Sequence, residues 1–138
     1  MKADMERRMN EEYKQIELYV KNNNITVQPT VNGLYYIETL KGKGIQPDSG
    51  KTVSVNYTGK FLDGKVFDAS EKMGKAFEFE LGKGMVIPAW EEGIAKMKAG
   101  GKATFLVPSR IAYGPRGAGK AIPPFTPLVF DVELVAVK

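Results

Sequence analysis

The stretch Val86 to Gly101, VIPAWEEGIAKMKAGG, decides the fold. Val86, Trp90, Ile94 and Met97 recur at helical spacing, whereas Glu91, Glu92, Lys96 and Lys98 turn away from that stripe. Pro88 suits the first turn, where its missing N–H costs nothing, and Gly100-Gly101 supplies a stop. One short amphipathic helix therefore stands among segments that otherwise read as strands. An antiparallel sheet with one apolar face needs a cover, and this helix is the sole candidate after residue 24. It carries the only tryptophan, and no Ser, Thr, Asp or Asn stands at its start to cap the first N–H groups. On these residues alone, Trp90 is either a plain core residue beneath a water-capped helix or part of a site.

Upstream, Thr52 to Leu62 alternates, with Val53, Val55 and Tyr57 on one face and Ser54, Asn56 and Thr58 on the other. Asp63-Gly64 is a hairpin signal that returns the chain through Lys65-Val66-Phe67. A loop is expected from Asp68 to Gly74, then a strand from Phe77 to Leu81. Downstream, Lys102 to Val107 reads as a strand and Ser109 to Thr126 as a long loop rich in Gly and Pro. Leu128 to Val137 is the last strand, with Leu128, Phe130, Val132 and Leu134 facing inward. Nearer the start, Leu34 to Lys41 alternates loosely, and Ile25 to Gln28 is expected as a short strand closed by Pro29 and Asn32-Gly33. From Asp4 to about Lys21, Met5, Met9, Tyr13, Ile16 and Val20 form one helical stripe. The class is α+β, a twisted antiparallel sheet wrapped on one short helix and preceded by a helical extension.

At 138 residues the chain is long enough for one domain with a proper core and too short for two. Its 20 basic residues are scattered among 16 acidic ones, with no dense basic run, which argues against nucleic acid as a partner. Histidine and cysteine are both absent. That excludes a Ser-His-Asp triad, a Cys-His pair, a nitrogen or sulfur zinc site and disulfides, and no metal or cofactor is expected. An enzyme built this way needs a reaction that runs without a strong general base near neutral pH. The run Gly114-Pro115-Arg116-Gly117-Ala118-Gly119-Lys120 imitates the start of a phosphate-binding loop. Ala121 then stands where a magnesium-binding hydroxyl belongs, and Ile122-Pro123-Pro124 cannot open the required helix. Aromatic residues instead gather near turns and strand ends. Tyr57, Phe67, Tyr113 and Phe130, joined to Trp90 beneath a helix start, could line an apolar pocket with a few polar groups.

Seven blocks follow one another along the chain: Val55 to Gly59, Asp63 to Asp68, Phe77 to Phe79, Val86 to Gly93, Ala112 to Gly114, Ile122 to Pro124 and Leu128 to Leu134. In order and spacing they resemble the FKBP-type prolyl isomerases. The resemblance covers roughly Leu34 to Lys138 and implies a half-barrel of antiparallel strands over one helix. The implied division is residues 1–42, a helix with its connecting strand, and residues 43–138, the isomerase domain. The implied pocket has Trp90 as floor, Phe67, Phe130 and Tyr57 as walls, and Val86 and Ile87 along one edge, with Phe77 and Ile122 beside them. The Ile87 N–H at the uncapped helix start and the Tyr113 O–H could each donate to a substrate carbonyl. Asp68 either orients Tyr57 or polarises the rotating amide. Ala121, Phe125 and Met73 depart from the commonest pattern, at the rim rather than the floor.

The activity implied is cis–trans isomerisation of X–Pro bonds in polypeptides, with no cofactor and with macrolides of the rapamycin type as inhibitors. The alternative is a peptide-binding or chaperone module that uses the same pocket without turnover. The stripe on the N-terminal helix must cover either its own domain or the same helix of a second chain. Related extended proteins dimerise through such helices, which sets a homodimer as the expectation. The compartment is expected to be the cell envelope or periplasm if a leader has been removed, and the cytoplasm otherwise.

Overall fold

The computed structural model describes residues 2–138. The elements in order are α1 (Lys2–Asn22), β1 (Tyr35–Leu40), β2 (Thr52–Phe61), β3 (Val66–Ala69), β4 (Phe77–Glu80), α2 (Pro88–Ala95), β5 (Lys102–Val107) and β6 (Leu128–Val137). All six strands form one open antiparallel sheet in the order β1-β5-β6-β2-β3, with β4 also paired to β2. The long strand β2 organises it. One side pairs with β6 from Val53 to Phe61, and the other takes β4 along its first half and β3 along its second. Register shifts at Ser54/Val55 and Gly59/Lys60 coil the sheet, as bulges do, and the coiled face wraps α2. The fold is the expected α+β half-barrel with an N-terminal helix.

Alternation along β5 and β6 separates two layers of packing. Phe105 pairs with Phe130 and both face α2, where Trp90, Ile94 and Met97 complete the main core. Leu106 pairs with Val129 on the opposite face, and these two pack against Ile16 of α1. The sheet is therefore covered on both faces, whereas strand alternation predicts inward positions on only one. Gly93 explains how α2 lies so close. A Cβ there would stand 2.6 Å from Phe105 Cζ, well inside ordinary contact.

Several local expectations change. Ile25 to Gln28 forms no strand, because Asn24 adopts a left-handed φ of 54° and the Ile25 N–H donates to Val20 C=O at 3.0 Å. That donor is spent on closing α1, and the Ile25 side chain joins the cluster around Ile16. The central helix stops at Ala95, short of the glycine pair, as Lys96 and Met97 tighten to i−3 bonds on Gly93 and Ile94. The expected loop from Asp68 begins instead as strand, since Asp68 and Ala69 pair with Gly59 and Thr58, and Ser70–Met73 is a 3₁₀ turn. Between Ser109 and Thr126 lie two further 3₁₀ turns, Ser109–Ile111 and Gly114–Arg116, and an Ala118–Ile122 bridge. β1, although it falls within residues 1–42, is a strand of the same sheet.

Candidate active site

Where the coiled sheet opens around the start of α2, aromatic rings gather over Trp90. The Tyr57 ring lies 4.8 Å from it and the Phe130 ring 5.4 Å, both edge-on, with Phe77 edge-on at 6.2 Å. Phe67 meets Phe130 edge-on at 5.8 Å and Phe61 at 5.1 Å. Each such pair contributes about 0.5–1.5 kcal/mol beyond its buried area, so the rings hold one another at fixed angles. Trp90 and Phe130 are buried, while Tyr57, Phe67, Phe77, Val86 and Ile87 are half-exposed around them. Ile122 packs into the same cluster and is buried.

Two close contacts set this shape. Gly59, between Tyr57 and Phe61 on β2, leaves room for both phenyls, since a Cβ there would lie 2.7 Å from Phe67 Cζ and 3.0 Å from Phe130 Cε1. Ser70 is the other. Pairing of β2 with β4 ends at Val55 and with β3 begins at Thr58, which leaves the Tyr57 N–H without a strand partner. The buried Ser70 hydroxyl accepts it at 3.0 Å. Neither residue was found by sequence reasoning. Gly59 has the signal of a glycine interrupting a strand, whereas Ser70 has none, because its partner lies 13 positions away.

The polar groups stand at the rim. The Tyr57 hydroxyl donates to Asp68 Oδ2 at 2.8 Å, and Asp68 Oδ1 accepts from the Ala69 N–H at 2.9 Å. Of the two roles open to Asp68, orientation of Tyr57 is the one with a bond in the structure. Burial first, and then the bond to Asp68, push the Tyr57 hydroxyl well above the ordinary tyrosine range. Burial and the Asp68 charge also raise Tyr113, so both hydroxyls stay protonated donors far above neutral pH. Tyr113 is 37% exposed, and its hydroxyl has no hydrogen-bond partner among the described residues. Ile87 is the N-cap of α2, has no side-chain cap, and spends its carbonyl on the Trp90 and Glu91 N–H groups. Its own N–H has no acceptor among the described residues. The Trp90 indole N–H is buried without a partner among the described residues.

The chemistry on offer is an apolar floor and walls with two free donors, one from backbone and one from Tyr113. Among the described residues no group of three or more His, Cys, Asp or Glu side chains could hold a metal. An arrangement of this kind can take up an apolar group, withdraw it from water and offer hydrogen bonds to a polar group beside it.

Residues 43–135 match the family described as FKBP-type peptidyl-prolyl cis-trans isomerase. A probable FKBP-type isomerase, FkpA, of Neisseria meningitidis serogroup B is 44% identical over 123 residues, 88% of this chain and 44% of that protein. FK506-binding protein 1 of Dictyostelium discoideum is 47% identical over 98 residues, 71% of this chain and 92% of its own length. The crystal structure of FkpA from Escherichia coli superposes with a TM-score of 0.84 at 39% identity, covering 99% of this chain and 64% of that one. The chain thus spans less than half the length of the Neisseria relative.

Proposed function

This chain belongs to the FKBP-type peptidyl-prolyl cis-trans isomerase family, and we propose that its aromatic bowl accelerates rotation about X–Pro bonds in polypeptides and so assists their folding. The observation that carries the proposal is the Trp90 floor, ringed by Tyr57, Phe67, Phe77 and Phe130, with the Ile87 N–H at the helix start and the Tyr113 hydroxyl, near enough to Asp68 to be raised by its charge, both without a partner among the described residues.

The X–Pro amide resists rotation through its partial double bond, with a barrier of about 20 kcal/mol and exchange over tens of seconds or more. The twisted transition state has lost conjugation and separates less charge than the planar amide, which water favours. In the bowl, Trp90 packs against the proline ring while Phe67, Phe130, Phe77, Val86 and Ile122 exclude water from the amide. This desolvation raises the planar ground state relative to the twisted one. Ile87 N–H and Tyr113 O–H donate to the flanking carbonyls and hold the chain while the bond turns. Asp68 orients Tyr57, so its hydroxyl neither swings into the bowl nor seeks water. No proton moves, in keeping with a chain that has no histidine.

A protease-free assay on a proline tetrapeptide tests this, run with and without a rapamycin-type macrolide, which the same bowl should bind as a proline mimic. The expected result is a macrolide-sensitive acceleration. An unchanged rate at micromolar protein would overturn the catalytic reading and leave a binding module.

A second copy of the chain is the partner proposed for α1. Ile16 is turned onto the sheet, but Met5, Met9 and Tyr13 remain 45%, 36% and 43% exposed along the same stripe. Sedimentation of the chain beside a Met5→Glu/Met9→Glu variant tests this partner: a dimer that becomes a monomer is expected, and equal monomeric masses refute it.

A further inference from the structure

The polar contacts of α1 with the rest of the molecule converge on one segment, and that segment carries Tyr113. Glu12 is only 6% exposed, rare for a glutamate, and both of its carboxylate oxygens are engaged. The Ser109 N–H donates to Oε2 and the Ser109 hydroxyl to Oε1, each at 2.6 Å. One residue on, Arg110 donates from Nη1 to the Tyr13 hydroxyl at 2.6 Å and from Nη2 to Asn32 C=O at 2.8 Å. At the other end of the segment, the Arg8 guanidinium stands 4.8 Å from the centre of the Phe125 ring. Arg8 lies about one turn before the adjacent Glu12 and Tyr13 on a single helix, so one rigid element holds both feet of the 109–125 segment.

That hold passes inward. Phe125 has a left-handed φ of 56°, uncommon for a bulky residue, and in this conformation its N–H donates to Gly114 C=O at 3.0 Å. Gly114 directly follows Tyr113, whose own carbonyl accepts from the Gly117 N–H at 3.1 Å. On the other side, the Ala112 N–H donates to Ser109 C=O at 2.8 Å, so the backbone flanking Tyr113 is tied to both feet, while the Tyr113 hydroxyl has no hydrogen-bond partner among the described residues.

We propose that Glu12 is a positioning residue for the isomerase site: through Ser109 it sets where the Tyr113 hydroxyl stands over the bowl, and α1 thereby tunes substrate affinity. This rests on the isomerase reading above. Hydrogen bonding by Tyr113 to a carbonyl away from the turning bond acts alike on ground and transition states, so its loss raises KM and spares kcat.

The test uses the full chain with Glu12→Gln, Glu12→Ala and Ser109→Ala, each assayed over a range of tetrapeptide concentration. For Glu12→Ala, KM should rise about two- to tenfold, the worth of one hydrogen bond, with kcat changed less than about twofold. A purely structural glutamate would lower the folded fraction, which scales kcat and leaves KM alone. In a Tyr113→Phe background, Glu12→Ala should add nothing further, because the residue it positions no longer has a hydroxyl. Amide exchange within residues 109–125 should quicken in Glu12→Gln while α2 and β2 keep their protection. An unchanged KM, or an effect that simply adds to Tyr113→Phe, overturns the proposal. Should Glu12→Ala fail to fold, Glu12→Gln and Ser109→Ala carry the same comparison. A wild-type chain without catalysis would remove the isomerase reading instead, and the exchange measurement would still decide whether Glu12 holds the segment.

Discussion

Gly59→Ala adds one methyl group where the bowl has no room for it. The new Cβ would stand 2.7 Å from Phe67 Cζ and 3.0 Å from Phe130 Cε1. Carbon atoms pack comfortably from about 3.5 Å, so one ring must retreat by roughly 0.8 Å. The overlap with Phe130 is smaller, roughly 0.5 Å, and Phe130, 3% exposed and fitted between Trp90 and Phe67, can give way only where Phe67 makes room. Phe67, half-exposed on the short edge strand β3, is the ring that moves. Overpacking of this kind costs about 1–3 kcal/mol, and removing a glycine from the unfolded chain returns about 0.4–1 kcal/mol. The net change, from near zero to a loss of about 2.6 kcal/mol, lowers Tm by at most about 10 °C in a chain of this length and leaves the protein folded at 25 °C. Activity should suffer more, because a wall displaced by nearly an ångström can cost up to about a hundredfold. The measurement is kcat/KM on a proline tetrapeptide beside Tm and macrolide affinity, with a fall of at least about tenfold in kcat/KM expected. Adding Phe67→Leu should restore stability by vacating the space, yet not activity. Wild-type kcat/KM in a folded Gly59→Ala protein would refute the assignment of Phe67 as a wall.

Other outcomes follow from the same geometry. Asp68→Asn removes the charge beside Tyr57, so the Tyr57 hydroxyl should ionise at lower pH in an ultraviolet titration, yet stay raised over ordinary tyrosine because burial persists; kcat/KM should drop about tenfold with Tm little changed. Trp90→Leu keeps an apolar floor and should cost less activity than Phe67→Ala, which opens a wall; a reversed order in tetrapeptide assays would argue against that division of roles. Both rim tyrosines have pKa values raised on folding, so the stability they contribute is complete below about pH 10 and lost only as pH rises through the folded values. With no histidine to titrate, kcat/KM should stay level between about pH 7 and 9. Tetrapeptides with Glu before proline should turn over at least about tenfold more slowly than those with Leu, since a carboxylate would be desolvated against Phe77 and Ile122.

Local periodicity made much of this molecule legible. The stripe around Trp90 located α2, and alternation placed β2, β5 and β6, because burial of one face imposes a repeat that any window of the chain displays. What periodicity cannot display is a partner far along the chain. Val129 and Leu106 lie on the second face of the sheet, and only α1, more than 80 positions before Leu106, tells why they are apolar. Ser70 and Gly59 serve the bowl through a hydroxyl that fills a gap in strand pairing and through a missing methyl group. Neither leaves a repeat. Ile25 misled for a related reason: its β-branched run suits a strand, but its N–H was claimed by the end of α1 before any strand could bid for it.

Glu12 carries this point furthest. On a helix rich in charge it looks like one more solvated carboxylate, and its role depends on Ser109, 97 positions away. Phe125 is the complementary case, since the sequence marks it as a departure at the rim without saying what the departure achieves. Its ring lies under Arg8 of α1, and its left-handed backbone returns a hydrogen bond to the carbonyl beside Tyr113. A smaller residue at 125 would lose the cation–π contact, worth about 0.5–1 kcal/mol at a half-exposed site. Phe125→Gly relieves the left-handed strain and abolishes the contact together, so its effects on Tm should partly cancel. Its effect on KM should not cancel, because only the hold on the segment bears on Tyr113.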